Sequence, residues 1–216
     1  MEIDKQMLTD EIVASFLEGN STPEETRTIL LAAKKDARFR EYLSLAAPQT
    51  GINPMMAYAA TGQEDNLCNV RCEQYVLQCF GITISEEVLT QEASFADWLR
   101  EEGTPLNRIG ALCSLHGLSV ERTYHSSIEE VRQALSDGYQ VIVALDGGEI
   151  DGDPDWEAAE DVILGKRPDH AVVVLSCDDD VVVCYNPYHG DISQAVPVDR
   201  FVDAWDDSEN YMVKIR

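Results

Sequence analysis

The sequence predicts an α+β fold in which a helical half is followed by an antiparallel sheet half, with a small helical appendage in front. Three observations predict it. Between Gly62 and Gly117 the apolar residues fall at helical spacing, as in Val70, Tyr75, Val76, Leu77 and Phe80. From Tyr139 onward they instead form short continuous runs of strand length, Val141–Leu145, Ala171–Leu175 and Val181–Tyr185. Before residue 48 two amphipathic patterns are joined by Gly19-Asn20-Ser21.

Composition narrows the function classes. A chain of 216 residues with 44% hydrophobic content can bury a full core and carry an appendage. No apolar run reaches the length of a membrane span, and the start, MEIDKQMLTDE, does not resemble a signal peptide, so a cytoplasmic protein is expected. Sixteen basic against 40 acidic residues give a net charge of −24, which argues against nucleic acid or an anionic membrane as partner. The same charge suits a basic substrate, or simply solubility. The six cysteines read as free thiols. Cys68 and Cys72 have Cys-x3-Cys spacing, but no second ligand pair lies near, so no metal is expected. Cys72 and Cys79 are expected on the inward face of a helix, and Cys177 and Cys184 beside a turn, as core residues.

Three segments follow in order: a helical appendage (1–47), a linker (48–61) and the main domain (62–216). Thr9 or Asp10 caps the first appendage helix. Thr22-Pro23-Glu24-Glu25 opens the second with a cap, a proline at the first helical position and a capping-box glutamate. This stretch resembles the helical start of bacterial anti-sigma proteins, without the His and Cys ligands of their zinc-binding forms. Helices this short must dock on the main domain, on a second copy or on a partner protein.

In the main domain, Asp65 and Asn66 stand just before a helix expected to begin near Cys68. The positive end of that helix favours a thiolate. Gln63 lies close enough in sequence for its amide to reach the same point. Ser85 caps one or two further helices up to Glu102, and Gly103-Thr104-Pro105 separates them from a helix over Leu106–His116. A strand over Leu118–Tyr124, a helix capped by Ser126 or Ser127 and a buried strand over Tyr139–Asp146 come next. The chain closes with a strand near Ala195–Val198, a short helix holding Phe201 and Trp205, and a strand over Tyr211–Ile215.

Ala171–Leu175 and Val181–Tyr185, joined by Asp178–Asp180, form a β-hairpin pattern. His170 enters its first strand and Asn186 leaves its second, so antiparallel pairing brings them to one end. Asn186 can then hold the imidazole in the tautomer that takes a proton from Cys68. His189 is a rival base, placed in a turn. His116 precedes a helix-ending glycine and complements that helix's dipole, and His125 lies beside a turn. The segment from Asp146 to Asp169 holds nine acidic residues and leads into His170 as an expected lip of a cleft. Asp151, Asp153 and Asp155 alternate as in a calcium loop but lack its glycine and terminal glutamate. They are candidates for binding basic substrate groups.

These features resemble papain-like cysteine peptidases, specifically the bacterial double-glycine-leader group and its stand-alone relatives. The similar elements are Gln63, Cys68 opening a helix that ends in Phe80-Gly81, Gly103-Thr104-Pro105-Leu106, Gly117–Arg122, the GYQVIVAL strand, His170 before a valine strand, and Asn186-Pro187. The resemblance implies Cys68 as nucleophile, His170 as base, Asn186 as orienter and Gln63 as oxyanion donor. It also implies a peptide or protein substrate and no cofactor. Asn69 stands where the group usually has glycine, beside the substrate, and Asn186 where it more often has aspartate. The spacing from Gln63 to Cys68 is one residue short.

The expected activity is thiol-dependent hydrolysis of a peptide or amide bond, with basic substrates favoured. Two alternatives remain at this level: an adaptor with a peptidase-like fold that binds through residues 1–47, and an acyltransferase using the same triad.

Overall fold

A computed structural model describes residues 9–18, 20–22, 25, 28–29, 32–33, 35–46, 66–100, 103–151, 167–188 and 193–216. The chain divides into two compact units, Met1–Glu64 with Gly152–Lys166, and Asp65–Asp151 with Arg167–Arg216. The linker expected over 48–61 lies outside the described residues.

Two helix starts in the first unit carry the caps that the sequence places. Thr9 Oγ1 accepts the Ile12 N–H at 3.3 Å and opens α1 (Asp10–Leu17). Thr22 and Glu25 close a capping box, with Thr22 N–H donating to Glu25 Oε2 at 2.7 Å and Glu25 N–H to Thr22 Oγ1 at 3.3 Å. The second amphipathic pattern is broken at Asp36. Its carboxylate accepts the Arg38 and Phe39 N–H groups at 2.9 and 3.3 Å and starts α2 (Ala37–Ala46). Phe16, Ile29, Ala33 and Leu43 are buried.

The second unit is built on six antiparallel strands: β1 (Val120–Thr123), β2 (Gln140–Leu145), β3 (His170–Cys177), β4 (Val181–Tyr185), β5 (Ser193–Pro197) and β6 (Met212–Ile215). Their order in the sheet is β1-β6-β2-β3-β4-β5. Because successive side chains alternate, the central strands feed two cores. Ile142, Ala144, Ala171 and Val173 face one, with α3 (Cys68–Cys79), α4 (Glu86–Phe95) and α5 (Ala111–Leu115). Val141, Val143, Leu145, Val172 and Val174 face the other, with α6 (Ile128–Ser136) and α8 (Val198–Asp206). The continuous apolar runs are thus covered on both sides.

Helix α3 lies against β3 through Val70, Cys72, Val76 and Leu77, all fully buried. Each buried aliphatic side chain stabilises this seat by about 1.5–3 kcal/mol. Cys72 Sγ donates to Ala171 O at 3.2 Å, which fixes the start of α3 beside the start of β3. Cys79, expected inward, is exposed at the last turn. The buried residues of α3 end at Leu77.

Two local expectations change. The helix foreseen over Leu106–His116 is a 3-10 turn, Leu106–Arg108, followed by the short α5. Gly110 breaks it, with φ at +84° and space for a Cβ closed by Val120 at 2.7 Å and Val213 at 3.0 Å. A short helix not foreseen, α7 (Gly147–Asp151), follows β2 directly. Among the described residues no helix is long and apolar enough to cross a membrane.

Candidate active site

The β3–β4 hairpin delivers His170 and Asn186 to the same end of the sheet, as the antiparallel register requires. Val173 pairs with Tyr185, and His170 itself pairs with Leu145 of β2. His170 Nε2 and Asn186 Oδ1 are 2.9 Å apart, and both residues are buried. The orientation of the Asn186 amide follows from its other neighbours. Asn186 Oδ1 accepts the Tyr188 N–H at 3.1 Å, and Asn186 Nδ2 donates to Gln194 Oε1 at 2.7 Å. With Oδ1 facing the ring, Nε2 must carry the imidazole proton, and the basic lone pair lies on Nδ1.

Cys68 is the first residue of α3, where the backbone N–H groups of the opening turn have no helical acceptor. The backbone amides of Ala171 and Asn69 and the side chain of Tyr188 act to favour its ionised form. Ala171 follows His170, and the Tyr188 ring stacks on the imidazole with centroids 4.2 Å apart. Cys68 is thus linked to Ala171, the residue after His170, and to Tyr188, whose ring stacks on the imidazole. Burial nevertheless pushes the Cys68 thiol up to about 11, and the charge of Asp169 adds to the rise, although Ala171, Tyr188 and Asn69 oppose it. The sequence argument from the helix terminus pointed the other way. A helix end contributes about 0.3–1 kcal/mol, less than the ~1.4 kcal/mol of a single pKa unit, and desolvation exceeds it. The thiol therefore keeps its proton near neutral pH.

The other face of the histidine is shaped by the turn into α7. A Cβ on Gly147 would lie 3.1 Å from His170 Cβ and 3.4 Å from its Cγ. Gly147 N–H donates to Asp169 Oδ1 at 2.9 Å. Burial and the neighbouring Asp146 push the Asp169 carboxyl up to about 7. The carboxyl that precedes His170 in the chain is thus raised toward neutrality.

The remaining candidates fall as follows. Asn69 is 3% exposed, and its Nδ2 donates to Glu73 Oε1 at 2.8 Å, one turn along α3. Gln63, Asp153, Asp155 and His189 lie outside the described residues, and Asp151 closes α7. His116 Nε2 meets Glu92 Oε2 at 2.8 Å, and His125 is exposed beside Glu209. The sequence reading did not single out Tyr188, Gln194, Gly147 or Asp169. Tyr188 and Asp169 stand next to named motifs, and that adjacency was the available signal.

Comparison with known proteins bears on the family and the fold. The model of the Peptidase C39-like family matches residues 54–213. A crystal structure from Bacillus anthracis, of a protein assigned to the C39-like peptidases, superimposes with a TM-score of 0.55 at 16% identity. The match covers 70% of this chain and 89% of that one. At that identity the likeness establishes the fold, α+β and papain-like. No curated protein matches the sequence.

Proposed function

We propose, for a chain that belongs to the Peptidase C39-like family, thiol-dependent hydrolysis of a peptide or amide bond. One observation carries the assignment of roles. The 2.9 Å bond from His170 Nε2 to Asn186 Oδ1 leaves Nδ1 as the base, with Cys68 at a helix start. In this reading Cys68 Sγ attacks the carbonyl carbon while His170 Nδ1 takes the thiol proton. The oxyanion is met by the Cys68 backbone N–H and by Gln63. Collapse of the intermediate breaks the C–N bond, and His170 returns the proton to the leaving amine. Water then hydrolyses the thioester with His170 again as base. Asp151, Asp153 and Asp155 favour basic side chains on the substrate.

The second reading is a non-catalytic adaptor that keeps the fold and binds a partner through residues 1–47, in which Asn69 takes the place of the group's usual glycine. Hydrolysis of a mixed peptide library, read by mass spectrometry, separates the two. The wild-type chain releases new termini, Cys68→Ala releases none, and His170→Ala loses at least about a hundredfold in rate. Cleavage that survives Cys68→Ala would overturn the hydrolase assignment, and a wild-type chain that cleaves nothing would leave the adaptor.

A further inference from the structure

We propose that Gln194 is a positioning residue of this site, which orients the Asn186 amide and through it sets the tautomer of His170. The inference rests on the reading of His170 as the base, and it adds a residue that the triad does not contain.

An asparagine side chain has nearly the same shape after a half-turn about its last bond, but its donor and acceptor exchange places. If Nδ2 of Asn186 faced the ring, His170 Nε2 would have to accept, the proton would move to Nδ1, and that nitrogen would lose its lone pair. Asn186 orients the base only when its own orientation is fixed from elsewhere. Gln194 fixes it. Gln194 Nε2 donates to the carbonyl of Ile150 at 3.3 Å. A carbonyl can only accept, so the Gln194 NH2 must face Ile150, and Oε1 is turned to Asn186. That oxygen accepts Asn186 Nδ2 at 2.7 Å, and Asn186 Oδ1 is left for His170 at 2.9 Å. Polarity thus passes from a backbone carbonyl in α7, through two amides, to the imidazole.

The fold explains why this chain of amides holds. Gln194 is opposite Cys184 in the β4–β5 ladder, so it sits beside the strand that delivers Asn186 two residues later. It is half-buried, which limits competition from water. The Tyr188 N–H, a donor only, holds Asn186 Oδ1 from a second side at 3.1 Å. Loss of Gln194 therefore weakens the orientation without abolishing it. One buried hydrogen bond left unmade shifts the ratio of the two amide orientations by about tenfold to a hundredfold.

The test uses full-length protein labelled with 15N-histidine, in which two-bond proton–nitrogen correlations report the tautomer of each imidazole. His170 is assigned by the signal lost in His170→Gln. The wild-type chain is expected to show the Nε2–H form. Gln194→Met, similar in shape but without an acceptor, is expected to show a mixed population. With a hydrolysable peptide its kcat falls about tenfold and its KM changes little. Gln194→Glu keeps an acceptor for Asn186 Nδ2 and restores the Nε2–H form. In an Asn186→Asp background, where both oxygens accept, Gln194→Met should leave the tautomer unchanged. Should Gln194→Met fail to fold, Gln194→Lys puts a donor opposite Asn186 and is expected to drive His170 to the Nδ1–H form. A full Nε2–H signature in Gln194→Met or Gln194→Lys overturns the proposal, as does an Nδ1–H form in the wild type. Expected tautomers in a chain that cleaves no peptide would overturn the hydrolase reading and leave the role of Gln194 standing.

Discussion

The chemistry of Cys68 is set by a contest among neighbours that sequence spacing does not report. The backbone amides of Ala171 and Asn69 and the Tyr188 side chain favour the thiolate, whereas burial and the Asp169 charge disfavour it, and the second group wins. Asp169 is the part that can be removed without rebuilding the site. Asp169→Asn keeps an oxygen to accept the Gly147 N–H and deletes the charge. The sign is clear: loss of a nearby negative charge lowers the thiol pKa. Iodoacetamide labelling of Cys68, mapped by peptide, should be about three- to tenfold faster in Asp169→Asn at about pH 8. Because the Asp169 carboxyl is pushed up to about 7, wild type and variant should converge at about pH 5, where Asp169 is already neutral. A rate ratio that does not change with pH would show that Asp169 does not act on Cys68 through its charge.

At the level of elements, α7 places a glycine where any side chain would press on His170. Gly147 has no left-handed φ, so alanine can adopt its backbone conformation and Gly147→Ala should cost the fold little. Its Cβ, 3.1 Å from His170 Cβ and 3.3 Å from Asp169 Oδ1, has to move the histidine. The expected result is a kcat lower by about tenfold with a nearly unchanged melting temperature, since small displacements of a base are costly. Full activity in Gly147→Ala would mean that the ring tolerates the contact. The hairpin that carries His170 and Asn186 was legible because apolar strand pairs around an acidic turn fix their own register, and the Cys68 helix because its periodicity is long. The start of α7 was not, since Asp-Gly-Gly-Glu reads as a turn until β2 and β3 pair beneath it. Gly110 was missed for a similar reason. Its left-handed φ is demanded by Val120 and Val213, which reach it only through the folded sheet. Gln194 carried no local signal, because its partners Asn186 and Ile150 meet it through strand pairing and the turn of α7.

For the whole molecule, 40 acidic against 16 basic residues make charge repulsion a standing cost of folding near neutral pH. Two buried carboxyls add to it in the same direction. Burial raises Glu73 despite hydrogen bonds from the Cys113 and Gly110 amides and from Asn69, and burial and Asp146 raise Asp169. A carboxyl whose folded pKa lies above its unfolded value keeps its proton longer in the native state. Its stabilisation is present at low pH and is lost as pH rises through the folded value. Asp178, Glu121 and Glu87 are shifted down by hydrogen bonds, with Lys214 acting on Glu121. Their contribution is lost only as pH falls below the ordinary carboxylate range of about 4, and they are exposed and screened. Between about pH 5.5 and pH 8 Asp169, pushed up to about 7, and the net charge therefore decide the slope. The melting temperature at low ionic strength should be higher at about pH 5.5 than at about pH 8. Added sodium chloride should raise it more at the higher pH, where repulsion is larger. Asp169→Asn should flatten the pH dependence without removing the salt effect. A chain more stable at the higher pH in low salt would show that neither burial of these carboxyls nor net charge governs its stability.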